Sequence, residues 1–350
     1  MSIPTVRDEP QDPPAHDAQL IAVTPWLSIR AQARTIAIAA ATCLVILVTI
    51  EFAFFRSGFF AAHVAISNPQ TASAKLALAE RHADARVLYV GDSTIMTSVM
   101  PTVVSAECAC GTGFNGGFSA ANPWLTRAMT ERLLGFMHPR VVVISVSPWA
   151  VDERAKFEDG GFARQLLSPA ELESLGASVD LQQRFDAALG AVWSAYGQRE
   201  LLKEWISAVA PSQRYDESLL GYWVAPGSAN SYTRVVAVAS RLFTDVGDAA
   251  TTAPGAKVLT ALVAEMQARG IDVVFMLPPL HPASYDIARP YLSTADAAIR
   301  DLAARQHVPI IDCRSVVSAE DFRDATHVFP DAAERHSRCV GEQLGALDLD

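Results

Sequence analysis

The sequence predicts an α/β fold, a three-layer α/β/α sandwich around a mostly parallel sheet, preceded by one N-terminal transmembrane helix. Three observations predict it. Short β-branched runs recur at Val87 to Val90, Val141 to Val146, Ile271 to Leu277 and Val308 to Asp312. They are continuously apolar rather than alternating, as strands buried on both faces are. Longer stretches of helical character separate them, including Trp124 to Phe136, Gly255 to Arg269 and Ser284 to Gln306, which is the alternation of a parallel sheet covered on both sides. From Thr35 to Phe55 the chain is almost wholly Ala, Ile, Leu, Val and Phe, broken near its end by Glu51. That length meets the ~20 apolar residues a bilayer requires.

Taken in order, residues 1–34 are rich in Pro, Asp and Gln without an apolar period and read as a disordered cytoplasmic tail. Residues 35–55 read as the transmembrane helix. A buried soluble helix rarely stays apolar all round for so long, and the polar lead is long for the n-region of a signal peptide. Arg30 and Arg34 lie just before it and Arg56 alone lies close behind, which sets the N-terminus in the cytoplasm and the C-terminal domain on the exported side. Residues 56–85 form a stalk and lead-in helix, and 86–350 form the domain. Within it, 150–254 is too long for an ordinary crossover and reads as a helical insertion or lid beside the active site. It carries the helical patch Arg199 to Trp205 and the turn-rich Tyr222 to Gly227.

With 350 residues, 50% of them apolar, the chain has ample material for a packed core. A net charge of -10 leaves no basic surface for phosphate backbones and excludes nucleic acid as a partner. Of five cysteines, Cys43 falls in the membrane helix and four remain, Cys108, Cys110, Cys313 and Cys339. Four reduced thiols are one reading; three disulfide pairings are the other, of which Cys313 with Cys339 is favoured because it ties a strand end to the final helix and braces the loop of His327. Cys108-x-Cys110 has no nearby ligand partners for a metal. No metal or organic cofactor is expected.

The chemistry concentrates at two places. Val87-Leu-Tyr-Val-Gly-Asp-Ser-Thr94 is a buried strand running into an acidic serine turn, which puts Ser93 just past the carboxyl end of a strand, where ligands bind in open parallel sheets. If Thr94 onward starts a helix, its first amides favour a developing negative charge. A serine hydroxyl needs a base to take its proton. Asp324-Ala-Thr-His327 supplies one: His327 lies in a loop before the last helix, with Asp324 three residues ahead to hold one ring nitrogen while the other faces Ser93. The structural alternatives are a helix N-cap at Asp92 or Ser93 and a capped polar loop at Asp324. The order of the two blocks, on separate strand ends, favours a serine hydrolase or acyltransferase.

These residues resemble the SGNH or GDSL hydrolase-like superfamily, over roughly Arg86 to Leu347 and only in blocks. Gly91-Asp92-Ser93 is similar to the first block, which implies Ser93 as nucleophile. Phe114-Asn115-Gly116-Gly117 resembles the second and implies that Gly117 lends an oxyanion-hole amide beside that of Ser93. Asp324 and His327 match the last block, as orienting acid and general base. In the third block the superfamily shows Gly-x-Asn-Asp, whereas this chain has Ser145-Val-Ser-Pro148, with Ser147 in the place of the asparagine that donates to the oxyanion. Loss of one such donor typically costs ~3 kcal/mol of transition-state stabilisation. The membrane helix and this departure together look like the membrane-anchored branch that resembles alginate and other polysaccharide O-acetylation proteins.

The resemblance implies an esterase or O-acetyltransferase in a bacterial inner membrane, its domain in the periplasm, acting on acetyl or other acyl esters of an envelope or exported polysaccharide. Asp92, Asn115, Trp149 and His281 are candidate substrate contacts. For His281, in a Pro-rich turn, an incidental position is an equal alternative, and Trp124, Trp149 and Trp223 are either sugar platforms or core. From another class comes a non-catalytic polysaccharide-binding or assembly subunit that works with a membrane acyltransferase.

Overall fold

The computed structural model describes residues 29–57, 59–60, 70–155, 166–167, 170–171, 181–199, 202, 216–224, 229–347 and 349. Most of the polar tail, part of the stalk and much of the insertion, including most of Arg199 to Trp205, lie outside the described residues. The chain divides into two compact units, Met1–Thr49 and Ile50–Asp350. Helix α1 (Ile29–Ile50) carries the apolar run and continues into a π-helical turn, Glu51–Phe55. Gln32–Phe55 is long and apolar enough to cross a membrane. Its side chains from Ile36 to Ile50 are exposed. Thr42 and Thr49 donate their hydroxyls to carbonyls one turn back, on Ile38 (2.9 Å) and Val45 (2.8 Å), so neither leaves a polar group unsatisfied in an apolar surrounding.

The second unit is α/β. After α2 (Ala72–Ala79), capped by Thr71, come β1 (Val87–Val90), α3 (Ser93–Ser98), α4 (Pro101–Cys108), β2 (Gly113–Asn115), α5 (Pro123–Leu133) and β3 (Val141–Ser145). The insertion follows, with α6 (Leu181–Val192), α7 (Ser194–Gly197) and α8 (Tyr232–Leu242). The chain ends with α9 (Pro254–Ala268), β4 (Asp272–Leu277), α10 (Pro282–Arg305), β5 (Ile310–Asp312) and α11 (Pro330–Gly345). The five strands form one sheet in the order β2-β1-β3-β4-β5, every pair parallel. Because the chain leaves β1 to one side for β2 and returns to the other for β3, the crevice beyond β1 and β3 is the topological switch point of the sheet.

Four strands coincide with the β-branched runs. The fifth, β2, does not, because Gly113-Phe114-Asn115 has no β-branched residue. It forms against β1, with Phe114 opposite Leu88, and a side chain at 113 would meet the Tyr89 ring at 2.8 Å. Helices α5, α9 and α10 start one or two residues before the apolar periodicity does, because each places Pro at its first turn, where the missing N–H is no loss. Successive strand residues face opposite ways: Leu88, Val90, Val142, Ile144 and Phe275 join one apolar cluster, and Val87, Tyr89, Val143, Val274 and Met276 another.

Helix α11 closes the second cluster. Its Gly341 lies where a side chain would meet the α4 backbone at Val104 O (2.9 Å), so the two helices touch directly. His336 on this face is fully buried, its Nδ1 against Ser98 O at 3.1 Å. Burial holds its pKa down at about 4, against the pull of that carbonyl. The unfolded chain therefore binds the proton first as pH falls, and stability is complete above pH 6.5 and lost toward pH 4. The expected loss is about 3 kcal/mol over that window. Urea titrations at both ends should show it, and His336→Met should flatten the slope; an unchanged slope would refute the assignment.

Candidate active site

The turn after β1 is built so that only glycine fits at 91. Gly91 has φ +147°, and a Cβ there would meet the Ser145 Cβ at 2.8 Å. Asp92 follows as the N-cap of α3: its Oδ1 accepts from Thr94 N (2.9 Å) and Thr94 Oγ1 (2.5 Å). Ser93 is thus the first helical residue and partly exposed, at the end of a helix whose leading amides have no intrahelical acceptor. The second Asp92 oxygen accepts from Ser147 Oγ at 2.6 Å. Asp92 and Ser147 are both buried. The carboxylate is a brace between the turns after β1 and β3, and the Ser147 proton is already committed to it.

The second block is equally self-satisfied. Asn115 is fully buried; its Nδ2 donates to Ile95 O (2.9 Å) and Val99 O (2.8 Å), and its Oδ1 accepts from Gly117 N (3.0 Å). It ties off the end of α3. Gly116 N donates to Tyr89 O and Phe118 N to Gly91 O. Of the three expected oxyanion donors, the Gly117 amide and the Ser147 hydroxyl are therefore engaged within the protein, and the Ser93 amide stands at the helix start.

The base pair sits in the loop after β5, between Phe322 and Val328, which form an isolated bridge. Asp324 Oδ1 accepts from the amides of Thr326 (2.9 Å) and His327 (3.0 Å), and Oδ2 meets His327 Nδ1 at 2.8 Å. Burial pushes the Asp324 carboxyl up, but the His327 bond and charge and the two amides outweigh it and hold the pKa at about 2. The carboxylate fixes the proton on Nδ1, which leaves Nε2 as the basic nitrogen. Nε2 is buried and makes no hydrogen bond, so the Ser93 to His327 bond of the expected triad is not closed here. Such bonds are commonly long in free enzymes and tighten on substrate. Helix α11, which follows the base loop, is joined to the end of the serine helix: Met100 N donates to Ser337 Oγ (2.8 Å), and His336 Nδ1 lies 3.1 Å from Ser98 O.

His281 lies inside the protein rather than on a cleft wall. Its Nδ1 accepts from Ala283 N (3.0 Å), capping α10, its amide donates to Ala325 O (3.0 Å), and its ring meets Phe322 edge-on. Burial lowers its pKa, against Asp286. It supports the base loop from beneath. Trp124 is buried in the main core, whereas Trp149 is half-buried over Leu280 and Leu292 and lines a cavity of about 10 Å³ with Asp92, Ser145 and Ser147, room for about one water. A wider cleft, about 510 Å³, opens beyond the ends of β4 and β5, lined by Tyr285, Asp286, Arg289, Asp296, Asp312 and Arg314. The Arg314 guanidinium bonds both Asp312 oxygens (2.9 and 2.8 Å), Asp296 (2.9 Å) and the Tyr285 hydroxyl (3.0 Å).

Disulfides join Cys313 to Cys339, with Cα atoms 5.9 Å apart, and Cys108 to Cys110. No group of metal-ligating side chains occurs among the described residues. Residues 219–223 of the insertion contribute what the sequence did not signal. Leu220 O accepts from Asn115 N (2.8 Å), Trp223 N donates to Met96 O (3.1 Å), and Tyr222 packs with Phe322 and Val328. Lys75, fully buried on α2, donates to Asn115 O (3.1 Å) and to Gly221 O. This strap links the serine helix, the second block and the base loop. A comparison with models of known protein families finds no match, and neither does a comparison with curated proteins.

Proposed function

We propose that the chain is a membrane-anchored serine esterase or O-acetyltransferase with a three-layer α/β/α sandwich of the SGNH hydrolase type. It acts on acyl esters of an envelope or exported polysaccharide from the periplasmic side of a bacterial inner membrane. The observation that carries the reading is the Asp324 to His327 pair with its basic Nε2 free, in the loop that leads into α11, the helix packed against the one that Ser93 begins. His327 Nε2 takes the Ser93 proton as Oγ bonds the ester carbonyl carbon. Collapse of the oxyanion breaks the ester C–O bond, and His327 returns the proton to the leaving alkoxide. Water or a sugar hydroxyl then repeats the sequence on the acyl-serine, giving hydrolysis or transfer. The cleft at Tyr285 and Arg314, with three aspartates, two arginines and an aromatic edge, suits a polyhydroxylated acceptor.

The engaged Gly117 amide and Ser147 hydroxyl favour a second reading, a non-catalytic polysaccharide-binding subunit beside a membrane acyltransferase. Intact-protein mass spectrometry of the full-length chain after exposure to 4-nitrophenyl acetate separates the two. One acetyl adduct, on Ser93 and absent in Ser93→Ala, is expected. Absence of both adduct and turnover, with glycan binding retained, selects the binding subunit.

A further inference from the structure

We propose that α6 is a second membrane contact: an interfacial helix whose apolar stripe lies in the lipid surface beside the point where the membrane helix ends. The inference rests on Gln32–Phe55 being a membrane span and is independent of the chemistry at Ser93.

Leu181, Phe185, Ala188 and Val192 recur at i, i+4, i+7 and i+11 and so share one helix face. In a water-soluble unit that stripe turns to the core. Here it turns outward: Leu181 is 83% exposed, Phe185 64% and Val192 75%. Toward the interior the helix buries a charged side chain, Asp186, against the Tyr196 hydroxyl (2.5 Å) and Arg199 (3.5 Å). Helix α6 is therefore amphipathic in the inverted sense that suits a lipid boundary.

The occupant follows from what holds α6 in place. Glu51, in the last turns of the span, accepts from the first amides of α7, Ser194 N (2.8 Å) and Ala195 N (2.9 Å). It also accepts from Arg56 Nε (2.8 Å), and Arg56 Nη2 donates to Val192 O (2.7 Å), the last carbonyl of α6. The C-terminal end of α6 is thus fastened to the residues at which the span ends. Helices α6 and α7 turn back tightly, with Gly190 so close that a Cβ there would meet Gly197 Cα at 3.3 Å. Exposed Phe52 and Phe59 continue the apolar surface at this junction, and half-buried Trp193 stands at its corner, an amphipathic ring of the kind enriched at membrane boundaries. A single helix leaves a domain free to rotate about its axis, and a second contact removes that freedom.

Site-directed spin labelling of the full-length chain in lipid nanodiscs tests this, with Cys43→Ser as background and labels at Phe185→Cys and Val192→Cys. Leu44→Cys reports the span and Thr102→Cys, exposed on α4, reports water. At 185 and 192, collision with oxygen should exceed collision with a water-soluble nickel chelate several-fold. The ratio should approach that at 44, at a depth of ~5–10 Å. Ratios like that at 102 would overturn the proposal, as would exclusion of both reagents with dipolar broadening between copies, which marks a protein contact. A water-like ratio at 44 would remove the span and the proposal with it.

Discussion

Asp324→Asn should lower kcat for acetyl-ester turnover by about four orders of magnitude with little change in KM. The amide keeps the size of the carboxylate and can still meet Nδ1, but it loses the charge. An amide NH₂ turned toward His327 makes Nδ1 the acceptor and moves the ring proton to Nε2, the atom that must be free to take the proton of Ser93. Because the wild-type carboxyl is held at about 2, it is ionised near neutral pH. Ser93→Ala should reach a similar floor, and the double variant should be no worse than the poorer single one, since the residues act as a unit. Steady-state kinetics on the three variants checks this. Additive losses, or an Asp324→Asn enzyme near wild-type rate, would sink the triad.

The second large effect concerns stability. Burial holds the Lys75 pKa well below its ordinary 10.5, and its two acceptors are carbonyl oxygens rather than carboxylates, so no fixed negative charge there opposes the shift. The unfolded chain binds one more proton than the native one at every pH between the folded pKa and 10.5. Stability must therefore rise with pH across that window, with a slope of up to about 1.4 kcal/mol per pH unit. Tyr89 and Tyr222, pushed up by burial, oppose it only where free tyrosine ionises, near pH ~10. The difference between wild type and Lys75→Met isolates the lysine, because Met keeps the length of the stem and cannot titrate. Denaturant titrations in detergent at several alkaline pH values should show the rising slope in wild type alone. Parallel lines for the two proteins would mean that Lys75 is charged in the fold.

The parts of this protein that could be read from its residues are those with local physics behind them. Continuous β-branched runs marked β1, β3, β4 and β5, and the apolar stretch marked the helix that is long and apolar enough to cross a membrane. Gly91-Asp92-Ser93 was legible because glycine, cap and helix start are a single local device, and Asp324 with His327 because three residues of loop suffice to bring them together. What escaped depends on partners remote in sequence. Gly113-Phe114-Asn115 is a strand only because β1 lies beside it. Asn115, Gly117, Ser147 and His281 carry the residue types of a substrate site, and their types could not disclose that each is paired inside the protein. Lys75 sits in an Ala- and Leu-rich helix where nothing nearby foretells that residues 220–223 will cover it.

The bond between Cys313 and Cys339 gives the site a property of connectivity rather than of energy. Asp324 and His327 lie within a covalent ring closed by that bond, and Ser93 lies outside it. A protease that cuts once anywhere between the two cysteines opens the ring into two chains held by the disulfide and releases no fragment. Such a nick would be invisible on a non-reducing gel, and the nicked molecule would keep its base attached, while reduction of the same sample would shed the C-terminal piece.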